Sequence, residues 1–142
     1  MAKNNGNGMS GWSLALLRLV LGIIFTYHGY LKLFVPNGFK GTVAFFLSLG
    51  IPVAPYSALL VSVAEFAGGL LLILGLLTKW ASFVLVMNMI VAFFLVHWKN
   101  GLDASKGGYE FVLLILASLV VVLVNGAGAL SLGSKFKNKH LK

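Results

Sequence analysis

Residues 55–98 read PYSALLVSVAEFAGGLLLILGLLTKWASFVLVMNMIVAFFLVHW, and almost every position is apolar. A helix crosses the hydrocarbon core of a bilayer in about 20 residues. This run is far too long for one crossing. It has one natural break: Gly75 and the triplet Thr78-Lys79-Trp80 place a turn residue, a charge and an interfacial aromatic near its middle. The run therefore reads as two antiparallel spans, about 55–77 and 80–98. Pro55 suits the first turn of the earlier one.

Working outward, a second apolar run from Trp12 to Phe34 is closed by Pro36-Asn37-Gly38. The following stretch, about 39–49, is too short to span. It mixes Phe39, Phe45 and Phe46 with Lys40, Thr42 and Ser48, which predicts an interfacial helix. Beyond Trp98 comes a polar loop, Lys99 to Gly108, and then a last apolar helix over about 109–126, ended by Gly126 and Gly128. Residues 1–11 are Gly/Asn-rich and expected to be mobile. Residues 133–142 form a basic tail. The first apolar run exceeds the about 7–15 residues of a secretory signal, so it is expected to stay as a helix. The expected fold class is all-α: an integral membrane four-helix transmembrane bundle, with an additional interfacial helix between helices 1 and 2.

Composition agrees. Of 142 residues, 59% are hydrophobic and 10% charged, against about 25% charged in soluble domains. The net charge of +8 is not a nucleic-acid signature, because the basic residues punctuate helix ends where anionic headgroups lie. The tail lysines Lys135, Lys137, Lys139 and Lys142 are their only cluster. Membrane lipid is the expected partner, and nucleic acid is not. The chain has no cysteine, so it can neither exchange disulfides nor hold an iron–sulfur cluster by thiolates. Trp12 and Trp80 mark one interface, and Tyr30, Tyr56, Trp98 and Tyr109 the other. Lys3, Lys79 and the tail lysines outnumber Lys32, Lys40, Lys99 and Lys106 with Asp103, so both termini are expected to be cytoplasmic in a multi-pass protein of the cell membrane.

The charges within the spans are the candidate site. Arg18, Gly22, Phe25, Gly29 and Lys32 recur every three or four residues and share one helical face. A charge at the bilayer centre costs at least about 2.5–3.5 kcal/mol and turns inward, and the glycines let another backbone approach. Glu65 lies near the middle of the second span, followed by Gly68 and Gly69. It is expected to be paired or protonated, with Arg18 as its natural partner. That pair is either a structural ion pair or a functional acid with its ligand contact. His28, Lys32, His97 and Glu110 should lie at one depth near the outer face; helix rotation decides whether they converge into one polar site or each reaches separately into the interface. Asn88 would bond to a neighbouring helix or contact a ligand. A bis-histidine haem on His28 and His97 is disfavoured, and no metal site is expected. Gly22, Gly29, Gly68, Gly69 and Gly75 are the expected helix-packing positions. No phosphate-binding loop, dinucleotide fingerprint or catalytic triad is present, and His140 is incidental.

Five segments carry a family resemblance: RLVLGIIFTYHGYLKLF (18–34), GFKGTVAFFLSLGIP (38–52), VAEFAGGLLLILGLLTKWAS (63–82), GGYEFVLLILASL (107–119) and NGAGALSLG (125–133). Each is individually low in information, but their order and spacing together resemble the DoxX family over about residues 11–133. Arg18, Gly22, Gly29, Lys32, Glu65, Gly69, Gly75 and Glu110 stand at that family's characteristic positions. One departure is the end of the last helix, where Gly126-Ala127-Gly128 and Ser131-Leu132-Gly133 replace Gly-Pro-Gly and Ser-Leu-Asp. The family is similar to the small membrane subunit of thiosulfate:quinone oxidoreductase, and other members are associated with membrane redox complexes. The resemblance thus implies a membrane subunit of a quinone-linked oxidoreductase or membrane redox complex. It would supply a polar intramembrane pocket to a partner that carries out the electron chemistry. Glu65 and Arg18 are its candidate catalytic groups. Arg18, His28, Lys32, Glu65, Asn88, His97 and Glu110 are its candidate ligand contacts, quinone is the implied ligand, and no covalent cofactor is expected. The alternatives are a non-catalytic scaffold or assembly subunit, or a small-molecule transporter module acting as a homo-oligomer.

Overall fold

A computed structural model describes residues 9–134. Five α-helices follow one another: α1 (Met9–Leu33), α2 (Gly38–Ser48), α3 (Ala54–Leu74), α4 (Thr78–Ala92) and α5 (Glu110–Asn125). The described residues contain no strand. The helix begun by α4 runs on through a π-turn at Phe93–His97 and a 3-10 turn at Trp98–Asn100. Expectations about Lys3, the tail lysines and His140 lie outside the described residues.

Three helical stretches are long and apolar enough to cross a membrane: Met9–Leu33, Ala54–Leu74 and Thr78–Asn100. The fourth bundle helix, α5, has 16 residues, about 24 Å at 1.5 Å per residue. That is just short of a full crossing. After Gly126 the chain leaves the helix, and residues 127, 129 and 131 are buried against the ends of α1 and α3. Ala129 donates its N–H to the Gly11 carbonyl (2.9 Å), and the Ser131 hydroxyl donates to Gly75 O (2.8 Å).

Helix α3 stops at Leu74. Gly75 takes a left-handed φ of 67°, with N–H bonds from Gly75 to Leu72 O and from Leu76 to Leu71 O. This is a Schellman motif, which caps the helix while reversing the chain. The positive φ suits glycine alone without strain, so the break lies there rather than at residue 77. The core is filled by Leu21, Phe25, Leu72, Leu85, Leu119 and Val122. Large apolar side chains such as Leu16, Ile23, Leu60, Phe83 and Leu114 point outward and are 49% to 72% exposed. An apolar surface on every outer face requires lipid as solvent, and all-helical structure is the form that satisfies its backbone there. The protein is a helical, multi-pass membrane bundle. None of the residues of α2 is buried, as suits a helix lying along the bundle rather than through it.

Candidate ligand-binding site

The site begins with how α1 meets α3. A Cβ on Gly22 would fall 2.8 Å from Gly69 O, and one on Gly29 would fall 2.6 Å from Phe66 Cα. Backbone therefore lies on backbone along the glycine face, which fixes the antiparallel register of the two helices. In that register Lys32 lies beside residues 63–65. Its ammonium donates to Glu65 Oε2 at 2.5 Å. The other carboxylate oxygen accepts from Asn88 Nδ2 of α4 at 3.0 Å. Glu65 thus ties three helices together. Its side chain is 6% exposed and that of Lys32 26%, so the lysine is the more accessible member of the pair.

The expected Arg18–Glu65 pair does not form. The same register sets Arg18 opposite residue 77, about 18 Å along the bundle from Glu65 at 1.5 Å per residue. Arg18 is fully buried among backbone carbonyls. Nε donates to Ala127 O (3.0 Å), one terminal nitrogen to Leu72 O and Ile73 O (2.9 Å for the latter), and the other to Ala129 O (3.3 Å) and Leu130 O (3.1 Å). A guanidinium has five N–H donors, and all five are used. Leu72 and Ile73 end α3, where the helix dipole is negative. The other three carbonyls belong to the non-helical chain after α5. In this structure Arg18 thus gives its donors to backbone carbonyls and does not border the cavity that holds Glu65. It is the donor set for backbone that has left the helix and is buried against the bundle, where orphan carbonyls are costly.

On the opposite side of Glu65 the bundle opens into a cavity of about 680 Å³, bordered by Lys32, Glu65, Asn88, His28 and His97. Much of the remaining wall is apolar: Phe25 of α1, Phe45 and Phe46 of α2, Leu60 of α3, Leu95 of the α4 extension and Ile115 of α5 all border it. Five of the expected ligand contacts are thus brought to one cavity. Glu110 is not. It is exposed at the start of α5 and accepts the Ala104 N–H on Oε1 at 2.9 Å, which ties down the loop before its own helix. His28, Lys32 and His97 border the cavity together, and Glu110 does not join them. Its carboxylate serves a nearer backbone donor six residues back.

His97 ends the π-turn. Its Nδ1–H donates to the Gly107 carbonyl at 2.7 Å, an oxygen that also accepts from Asn100 Nδ2 at 3.1 Å. Tyr109 stacks on Trp98 (5.5 Å between centroids, 20° between planes) and packs on Phe93 at 5.1 Å, which clamps the turn to the loop. His28 is exposed and meets the Tyr27 ring edge-on. Among the described residues no group of three or more His, Cys, Asp or Glu side chains gathers as a metal site would.

Two features escaped sequence reasoning. One is the carbonyl cage around Arg18, for which the only signal was the glycine-punctuated end Gly126-Ala127-Gly128. The other is the π-turn, which leaves no compositional mark. The expected packing glycines do lie at close contacts: Gly68 faces the Leu85 side chain, Gly69 faces Thr26, and Gly75 faces Arg18 and Ser131.

Fold and site together define an all-helical membrane protein with a polar-ended cavity inside its bundle. Residues 13–98 match the DoxX family model. The chain is 32% identical over 117 residues to a Bacillus subtilis protein named "Putative oxidoreductase CatD", covering 82% of this chain and 81% of that one. It is 35% identical over 141 residues to an uncharacterized Haemophilus influenzae protein, covering 96% and 99%. It is 28% identical over 137 residues to an uncharacterized membrane protein of Mycobacterium tuberculosis, covering 89% and 83%. No solved structure matches the chain significantly. The chain belongs to the DoxX family.

Proposed function

We propose that this protein is the ligand-holding membrane subunit of a quinone-linked redox complex in the cell membrane, with both termini cytoplasmic. The observation that carries the reading is the cavity itself, an apolar chamber with the Lys32–Glu65–Asn88 cluster on one wall. Such a chamber suits a molecule with an apolar body and a polar oxygen. Lys32 commits one ammonium proton to Glu65 and keeps others to donate to a ligand oxygen. Glu65 holds that ammonium in place, and Asn88 holds Glu65. The apolar walls would bury a ring and the start of an isoprenoid tail. A bound quinone would supply the electron and proton chemistry, which the cysteine-free chain has no thiols to perform. Electrons would pass to a partner protein. The oxidoreductase name of the Bacillus relative supports this direction. The glycine stripe of α1 is filled by α3, so a partner or second copy would dock on another face.

The test is the quinone content of protein purified mildly from its native membrane, measured by chromatography of the organic extract. Wild type should retain quinone at a fixed stoichiometry. A Lys32→Met, Glu65→Met double variant exchanges the ion pair for apolar groups of similar volume, a change that bundles often tolerate. It should retain at least about tenfold less. Equal retention by both proteins, or none by wild type, would sink the reading.

A further inference from the structure

We infer that His97 makes the cavity selective for the hydroxyl-bearing, reduced form of its ligand, the hydroquinone, over the oxidised carbonyl form. This deepens the reading proposed above and rests on it. The argument starts from the hydrogen bond behind the ring. Gly107 O is a carbonyl and can only accept, so the Nδ1 that lies 2.7 Å from it carries a proton. In the neutral imidazole that leaves Nε2 as a lone pair, an acceptor. His97 is one of the residues bordering the cavity, and the bond to Gly107 holds Nδ1, so Nε2 is the nitrogen left to offer a ligand.

Lys32 and His97, which both border the cavity, then differ in what they can read. Lys32 donates, and both a quinone carbonyl and a hydroquinone hydroxyl have lone pairs to receive it. Lys32 can therefore contact either form and does not require the reduced one. His97 Nε2 accepts, and only the hydroxyl has a proton to give it. The oxidised ligand would face that lone pair with one of its own. Asn100, at the other lobe of Gly107 O, and the Phe93–Trp98–Tyr109 stack keep the segment from turning the ring away.

The probe is duroquinone and its hydroquinone, which have no isoprenoid tail, titrated calorimetrically under anaerobic conditions into the full-length protein in lipid nanodiscs. Wild type should bind the hydroquinone about tenfold more tightly, the size of effect expected when one hydrogen bond replaces an acceptor facing an acceptor. His97→Phe keeps a ring of similar bulk without the acceptor. It should bind both forms with the quinone affinity of wild type, and that retained affinity reports an intact cavity. Equal affinity of wild type for the two forms, a preference for the quinone, or an unchanged preference in His97→Phe would overturn the inference while leaving the pocket standing. If wild type binds neither form, the pocket reading fails and this inference fails with it.

Discussion

Five carbonyl oxygens converge on the guanidinium of Arg18, and no carboxylate is among them. The planar fork of arginine matches a set of acceptors spread over two chain segments, which a lysine ammonium with three donors on a point charge does not. Arg18→Lys should therefore behave almost as badly as Arg18→Met. Leu72 O keeps the Gly75 N–H, but methionine leaves the other four carbonyls without the Arg18 donor. Lysine, with at most three donors from one point, cannot reach all of them, at about 1–3 kcal/mol for each one lost. The thermal unfolding midpoint of the detergent-solubilised protein, followed by tryptophan fluorescence, should fall well below that of wild type for both variants. A wild-type midpoint for Arg18→Lys would mean that the cage is held by charge alone. Lys32 is the opposite case. It has one carboxylate partner, is 26% exposed and borders the cavity, so its ammonium is not fully enclosed as the Arg18 guanidinium is.

At the scale of elements, the α1–α3 seam is where backbone meets backbone, and the glycines of the bundle grade by what they touch. Gly22, Gly29 and Gly69 lie against backbone, where an added Cβ would fall 2.4–2.9 Å from its nearest neighbours. Gly68 lies 3.2 Å from a Leu85 side-chain atom, which can shift. Gly41 of α2 has nothing within 4 Å. The alanine series should follow that order. Gly22→Ala, Gly29→Ala and Gly69→Ala should each cost about 1–3 kcal/mol by overpacking, with Gly68→Ala milder. Gly41→Ala should be neutral or stabilising by up to about 1 kcal/mol through helix propensity. Thermal midpoints of the five variants measured side by side would check the ranking, and a destabilised Gly41→Ala would show that α2 packs against something beyond the described chain. The extension of α4 is set differently. Its π-turn widens the helix where His97 must face both Gly107 and the cavity, a local departure of the kind that gathers at functional sites.

At the scale of the whole molecule, three spans separate Ser10 from Ser105, so those residues should lie on opposite sides of the membrane. The cysteine-free chain makes this simple to check with an impermeant maleimide on intact cells. Ser105→Cys should label directly and Ser10→Cys only after permeabilisation. The reverse pattern would invert the orientation, and labelling of both from one side would break the span count. The apolar helices were legible because hydropathy is a local property: each apolar run, the turn at Gly75 and the polar loop before Tyr109 stand in the chain itself, although among the described residues three of the four expected spans are long enough to cross and α5 is shorter. So was the packing face of α1, because the three-to-four spacing of Arg18, Gly22, Phe25, Gly29 and Lys32 follows from helix geometry alone. The identity of the intramembrane charges also stood in the sequence, with the demand that each be satisfied. Which partner satisfies which charge did not. That choice depends on the register between α1 and α3, set by backbone contact at Gly22 and Gly29 with residues some forty positions away. It gave Glu65 to Lys32 rather than Arg18. The same holds for the chain after α5. Its carbonyls need a donor once the helix ends, and only folding back onto α1 and α3 brings Arg18 within reach. A sequence states what each residue requires of its surroundings, and the register of packed helices decides which neighbour supplies it, because that register is a sum of contacts along two elements and is written in neither one.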